Sequence, residues 1–142
     1  MTVVLDDHLL RDWMVGPDRA LADAIDGEPV ATTNLWYARL CKSAAGSGGG
    51  ALLGGWSLHE RRALAAGLVA LPDEVTVVVM RRLAWQMGEL SADHAGLSTL
   101  GAEAVASTLE LGGHLLVSDR DDGPGLRNCC HAVGVRYETL RR

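Results

Sequence analysis

Two short apolar segments that end in acidic residues constrain the fold of this chain more than any other feature. One is Val3–Leu5, followed by Asp6 and Asp7, and the other is His114–Ser118. Three further acids follow the second segment: Asp119, Asp121 and Asp122. Short apolar runs of this kind are typical of parallel strands, and ligand sites in open α/β sheets form just beyond the carboxyl ends of the strands. If the two strands are neighbours, their acids offer the oxygen ligands that Mg²⁺ or Mn²⁺ prefers.

The rest of the sequence alternates between strands and helices. Strands are predicted at Pro29–Thr32 and Val135–Leu140, whereas Val75–Val79 suits either a strand or the first turn of a helix. Apolar residues at helical spacing, bounded by capping residues, Gly or Pro, predict helices over residues 8–15, 18–25, 34–46, 57–71, 80–90, 98–111 and 126–132. We therefore expect a single domain over residues 1–142. Its expected α/β fold is a three-layer α/β/α sandwich with a mostly parallel central sheet.

The charge of the chain limits the partners it can bind. The formal net charge is −5, and Lys42 is the only lysine among 13 basic residues. Both facts argue against broad neutralisation of nucleic-acid phosphates, so any RNA contact should be local. The first residues are acidic, whereas a signal peptide begins with basic residues, and no apolar run approaches the length of a membrane span. The three cysteines lack the spacing of metal ligands. A cytoplasmic protein with reduced thiols and no membrane partner is expected.

Several common motifs are absent. The glycine-rich stretch 46–55 has no GxxxxGKS/T pattern, so its glycines predict a mobile loop rather than a phosphate cradle. The five histidines lack HExxH or other metal-ligand spacing, and no Gly-x-Ser-x-Gly occurs. The segment Val4–His8 looks like the first strand of bacterial receiver domains. A receiver also needs a phosphoacceptor Asp after a third strand and a late Lys, and the sequence provides neither.

Four segments, taken in order along the chain, together resemble a known family. They are Val3–Asp6, Leu97–Ala106, Leu109–Asp121 and Gly134–Leu140. The first looks like a strand that ends in a metal-binding Asp, and the second like a late helix. The third contains a strand that reads Leu-Val-Thr/Ser-x-Asp, and the fourth looks like a closing strand. This order is similar to that of the PIN domain, the metal-dependent nuclease fold of VapC-type toxins. The resemblance spans nearly the whole chain in element order, and the late helix and strand are its most specific part.

The resemblance implies a function, a cofactor and partners. A PIN nuclease of the VapC toxin type hydrolyses RNA phosphodiesters with Mg²⁺ or Mn²⁺. By this resemblance Asp6 and Asp119 are the expected catalytic residues and metal ligands, and Asp121 is a further metal ligand. An antitoxin protein and RNA are the implied partners, and a homodimer is the implied assembly.

Two of the four acidic positions of the PIN family are replaced in this chain. Aligning Leu35–Lys42 on the family's acidic helix puts Arg39 in place of a Glu, and the late helix puts Gly101 in place of an Asp. Glu103 lies about 200° further round that helix and does not simply replace an acid at position 101. Asp93 in the preceding loop is a weaker substitute. Because a hydrolytic site with two metals needs several carboxylates, the alternative is a catalytically inactive PIN-like scaffold that acts as a protein-interaction module.

The arginine at position 39 has a physical consequence of its own. A guanidinium near the acids opposes divalent binding and can pair with Asp6, with Asp119 or with a phosphate. If Arg39 projects into the acidic cluster, its charge should oppose divalent binding, so Arg39→Glu should strengthen Mn²⁺ affinity. The carboxylates of Asp6 and Asp119 are predicted to lie about 5 Å apart, the span of one metal ion.

Overall fold

A computed structural model describes residues 1–142, and its centre is a sheet of five parallel strands. The strands are β1 (Val3–Leu5), β2 (Val30–Thr32), β3 (Val75–Val77), β4 (His114–Ser118) and β5 (Tyr137–Leu140). They lie in the order β3-β2-β1-β4-β5, and every neighbouring pair is parallel. The first strand of the sequence therefore lies at the centre of the sheet, directly beside β4.

Eight helices accompany these strands. They are α1 (Asp7–Val15), α2 (Arg19–Ile25), α3 (Asn34–Ala45), α4 (Gly50–Leu53), α5 (Leu58–Val69), α6 (Met80–Asp93), α7 (Thr99–Leu111) and α8 (Pro124–Val133). Local sequence explains several helix starts. Ser57 and Glu60, for example, form the capping box that begins α5. None of the eight helices has the length and apolar character needed to cross a membrane.

The sheet is buried because helices cover both of its faces. Alternate residues of a strand point to opposite faces, and in β1 Val4 packs with residues of α6, α7 and α8. Its neighbours Val3 and Leu5 pack with residues of α1 and α2. The same alternation occurs in β4, where Leu115 and Leu116 belong to different clusters. The predicted three-layer α/β/α sandwich with a parallel central sheet is confirmed.

The first three residues of the ambiguous segment 75–79 form strand β3 and not the first turn of a helix. Val75 pairs with Val30 in the register of β2, and its side chain is buried. Val79 has extended backbone angles and is the N-cap of α6. The choice between the two structures depends on pairing with β2, which the local composition does not encode.

The prediction of a loop across residues 46–55 is wrong for its second half. Gly50–Leu53 forms the short helix α4, and both Leu52 and Leu53 are buried. Gly49 precedes this helix at φ +72°, a conformation that favours glycine. Two adjacent leucines gain more from burial against α1 and α3 than the surrounding glycines lose in backbone freedom.

Candidate functional site

Four polar side chains meet at the carboxyl ends of β1 and β4. These strands are paired, so the start of α1 lies beside the loop that follows β4. We call Asp6, Asp7, His8 and Asp121 the acidic cluster. One possible ligand atom from each of them lies within 4.8 Å of the others. By spacing alone, this cluster could hold a metal ion.

Asp6 joins the two strand ends through its buried carboxylate. Oδ1 accepts a hydrogen bond from the backbone N–H of Leu9 at 2.9 Å and so caps α1. Oδ2 accepts from the N–H and the hydroxyl of Ser118 at 2.8 and 2.5 Å. Burial raises the pKa of Asp6 to about 7 even though these hydrogen bonds lower it, and the charge of Asp121 adds to the rise. Burial thus favours the neutral form of Asp6 over the charged form.

Arg39 reaches from α3 into the acidic cluster and bridges Asp7 and Asp121. Its Nη2 donates to Oδ1 of Asp7 at 2.8 Å and to both carboxylate oxygens of Asp121 at 2.7 and 2.6 Å. Its Nε donates to Oδ2 of Asp7. The hydrogen bond to Asp7 raises the pKa of Arg39 against the effect of burial, and the one to Asp121 adds to this. Arg39 therefore lies within the acidic cluster, and it pairs with Asp7 and Asp121 rather than with Asp6 or Asp119.

His8 brings a second cation to the cluster. Its Nδ1 lies 3.2 Å from Oδ1 of Asp7 and 3.6 Å from Oδ2 of Asp121. Burial alone would lower the pKa of His8, but hydrogen bonds to Asp121 and Asp7 raise it to about 9. Burial would likewise raise the pKa of Asp121, but hydrogen bonds from His8 and Arg39 hold it well below its usual range. Near neutral pH, Arg39 and protonated His8 balance the carboxylates of Asp7 and Asp121.

The raised pKa of His8 predicts a loss of stability between pH 6.5 and 9. The ordinary pKa of the imidazole is 6.5 and the folded value is about 9. Its stabilising contribution is therefore complete below pH 6.5 and is lost as the pH rises through 9. Urea unfolding should show a loss of about 1–3 kcal/mol over this range. His8→Asn should remove most of that loss and His131→Asn, at an exposed position, should keep it. An unchanged loss in His8→Asn would contradict the assignment.

Asp119 lies outside the acidic cluster. Its side chain is exposed and accepts a hydrogen bond from the backbone N–H of Arg142 at 2.9 Å. The loop after β4 folds back through backbone bonds from Asp121 and Asp122 to the carbonyl of Ser118, at 3.2 and 3.1 Å. This turn brings Asp121, rather than Asp119, to the end of β1. The metal-binding roles predicted for Asp6, Asp119 and Asp121 remain predictions, and the structure brings only Asp6 and Asp121 together.

Sequence reasoning counted Asp7 among the acids at the strand ends but did not select it as a ligand, and it did not place His8 in the cluster. A signal for them was present in the spacing of Asp6 and Leu9, because an Asp three residues before an apolar helical position is typical of an N-cap. An N-cap at Asp6 places both following residues in the first turn of α1, at the edge of the sheet where β1 ends.

Neither Gly101 nor Glu103 adds a ligand to the acidic cluster. The buried carboxylate of Glu103 accepts from the N–H groups of Asn34 and Leu35 at 3.0 and 2.8 Å, and from the Asn34 amide at 2.6 Å. It therefore supports the start of α3, where a negative charge is favourable. A Cβ atom at Gly101 would lie 2.9 Å from Cδ1 of Leu97, so an acid at this position requires Leu97 to move.

The fold is similar to that of two solved structures. One is FitAB bound to an IR36 DNA fragment, with 12% sequence identity, a TM-score of 0.58, and coverage of 96% of this chain and 94% of that chain. The other is FitAcB from Neisseria gonorrhoeae, with 14% identity, a TM-score of 0.57 and coverage of 96% of both chains. No protein-family model matches the sequence, and no curated protein matches it significantly. At these identities the likeness shows the fold alone, and that fold is PIN-like.

Proposed function

We propose that this chain is a PIN-like interaction module of the toxin–antitoxin kind, whose acidic cluster is closed by Arg39 rather than by a divalent ion. One observation carries this proposal. All four carboxylate oxygens of Asp7 and Asp121 accept a hydrogen bond from the Arg39 guanidinium. Those oxygens are the ligands that an ion in this cluster would need.

The donor set does not fit a hydrolytic metal centre while Arg39 is in place. The guanidinium is permanently charged, and planar contacts to two carboxylates are among the stronger interactions of a protein surface. An incoming ion would either displace these contacts or lie beside a positive charge that repels it. Asp6 alone would remain, and one carboxylate is too few to offset the charge of a metal centre for phosphodiester hydrolysis.

The outer surface of α6 supports an interaction role. Trp85 is 82% exposed and, with Ala84 and Gly88, lines a shallow cavity of about 280 Å³. Tryptophan is enriched in protein–protein interfaces relative to the rest of the protein surface. An antitoxin protein is the partner that we propose, by likeness to FitAB and FitAcB. A homodimer is the second proposed assembly.

A Mg²⁺- or Mn²⁺-dependent ribonuclease of the VapC type is the second candidate function. The spacing of the acidic cluster, with its ligand atoms within 4.8 Å of one another, favours it. Asp6, Asp7 and Asp121 would then hold the ion, which would supply Lewis acidity for hydrolysis of RNA. This function requires Arg39 to leave the cluster, because its hydrogen bonds occupy two of the three carboxylates.

Calorimetry with MnCl₂ and an assay of RNA cleavage separate the two functions. We expect the wild-type chain to give no saturable heat of Mn²⁺ binding at millimolar concentration and no Mn²⁺-dependent cleavage of single-stranded RNA. The matched variants are Asp121→Asn, inside the cluster, and Asp119→Asn, outside it. Stoichiometric Mn²⁺ binding that is lost in Asp121→Asn but kept in Asp119→Asn, together with RNA cleavage, would contradict the interaction-module proposal.

A further inference from the structure

The outer surface of α6 carries both a protruding side chain and a cavity beside it. Trp85 is 82% exposed, and its indole Nε1 donates to Oε1 of Glu89 at 3.0 Å. The ring is therefore held by a residue of its own helix and remains open to solvent. Gly88 and Ala92 line the shallow cavity of about 280 Å³ next to the ring. This cavity is large enough to admit the indole of another tryptophan.

The glycine in this cavity has no explanation within the chain. Gly88 lies in the middle of α6, where glycine is less favourable than alanine because it loses more backbone freedom on folding. A Cβ atom at this position would meet no other atom within 4 Å. No contact inside the chain requires the missing side chain, and its absence leaves room for a group from outside.

The charges of α6 are separated along the helix. Arg81 and Arg82 lie in its first turn, and Glu89 and Asp93 lie in its second half, all of them exposed. Arg82 pairs with Glu110 of α7, whereas the other three charges have no ion-pair partner in the chain. The helix dipole favours acids at the start of a helix and bases at its end, which is the opposite order. A single copy of the chain therefore gains nothing from this arrangement.

A second copy of α6, running antiparallel, accommodates the tryptophan, the cavity and the charges together. A two-fold axis level with Met87 brings residues equally far before and after Met87 to the same level, at 1.5 Å per residue. Trp85 of the second copy then lies above the cavity of the first, between Gly88 and Ala92. The basic start of each helix lies beside the acidic end of the other, and by symmetry every contact occurs twice.

We propose that two copies of this chain associate through antiparallel α6 helices, with each Trp85 inserted into the cavity of the other copy. The inference rests on the interaction role proposed above for the outer surface of α6 and deepens it by naming the partner. A second copy is favoured over a different protein because this one helix carries the protruding ring, the cavity and both signs of charge. A pair of 14-residue helices is a small interface, so the dimer should be reversible.

Sedimentation equilibrium of the full chain, from micromolar to millimolar concentration, tests the proposal. We expect the wild type to pass from monomer to dimer over this range. Trp85→Ser should weaken association about 100-fold or more, because a symmetric interface loses two central aromatic contacts. The control is Val69→Ser, which removes an 88% exposed side chain from α5 and should leave association unchanged. A wild type that stays monomeric, or a Trp85→Ser chain that dimerises equally well, would overturn the proposal.

Filling the cavity separates the dimer from the stability of the single chain. Gly88→Gln places a side chain where the second Trp85 should lie and should weaken association about tenfold. The same change replaces a glycine inside a helix by a good helix former, so the dilute monomer should unfold at a higher urea concentration. Effects of opposite sign on the two measurements support the proposal. A folded Gly88→Gln chain that dimerises as tightly as the wild type would show that the cavity is not part of the interface.

Charge reversal tests the antiparallel arrangement. Arg81→Glu in one chain, and Glu89→Arg with Asp93→Arg in another, should each weaken self-association about fivefold or more, because like charges then face each other. An equimolar mixture of the two variant chains should restore association, since opposite charges face each other in the mixed dimer. A mixture that associates no better than either variant alone would exclude antiparallel α6 helices.

This inference and the proposed function fail in different experiments. A monomeric wild type that also shows no Mn²⁺ binding would overturn the α6 dimer and leave an antitoxin as the partner of the outer surface of α6. A wild type that dimerises as expected but binds Mn²⁺ and cleaves RNA would keep the α6 dimer and contradict the closure of the acidic cluster by Arg39.

Discussion

Replacing Arg39 with methionine should lower the free energy of unfolding by about 2–4 kcal/mol near neutral pH. The substitution keeps an apolar stem of similar length but leaves the buried Asp7 carboxylate and Asp121 without their shared guanidinium. Breaking a buried ion pair by removing one partner is strongly destabilising because it strands the other charge. The expected loss is reduced because 39% of the Arg39 side chain remains in contact with solvent. Urea unfolding followed by circular dichroism measures it.

A surface arginine provides the matched control for this experiment. Arg127 pairs with Asp122 at 2.6 Å, and 56% of its side chain is exposed. Arg127→Met should therefore cost at most about 1 kcal/mol, as exposed ion pairs do. Equal destabilisation in Arg39→Met and Arg127→Met would show that the bridge between Asp7 and Asp121 contributes no more than an ordinary surface pair.

The bounds of the two central strands, β1 and β4, were predictable because local sequence determines where each strand begins and ends. Val3–Leu5 and His114–Ser118 have in the structure the bounds predicted for them, since each is an apolar run bounded by polar or glycine residues. The alternation of strands and helices then predicts a parallel sheet covered on both faces. The loop prediction is wrong at Gly50–Leu53 because the glycines around this segment favour a loop, whereas burial of its two leucines depends on α1 and α3.

The candidate site was less predictable because distant residues complete it. Asp6 and Asp121 were predicted as ligands and lie in one cluster, but Asp119, the first acid after β4, points away from it. The backbone turn after Ser118 decides which acid faces β1, and no side-chain pattern encodes that turn. The pairing of Arg39 with Asp7 joins residues 32 positions apart. The resemblance puts this arginine at an acidic position of the family, but its partners depend on the packing of α3 against α1 and on the turn after β4.

Restoring acids at both replaced positions should raise the affinity of the chain for Mn²⁺. Arg39→Glu exchanges a positive for a negative charge among Asp6, Asp7 and Asp121. Gly101→Asp adds a further carboxylate, provided that Leu97 moves. The doubly substituted chain should bind Mn²⁺ about 100-fold more tightly than the wild type, because repulsion is removed and oxygen ligands are added. Calorimetry measures the affinity, and the rise in melting temperature with Mn²⁺ shows whether the ion binds the folded state.

The direction of the change in Mn²⁺ affinity shows whether Arg39 controls the acidic cluster. Cleavage of RNA then shows which of the two proposed functions the chain has. Arg39→Gln removes the positive charge without adding a carboxylate, so it should raise Mn²⁺ affinity less than Arg39→Glu. Unchanged affinity in a folded Arg39→Glu chain would mean that the side chain does not control the cluster, which would remove the main support for the interaction-module proposal. Tighter Mn²⁺ binding without cleavage of single-stranded RNA in the doubly substituted chain would favour the interaction module. Cleavage gained together with affinity would show that the fold retains a nuclease geometry and that Arg39 and Gly101 alone disable it.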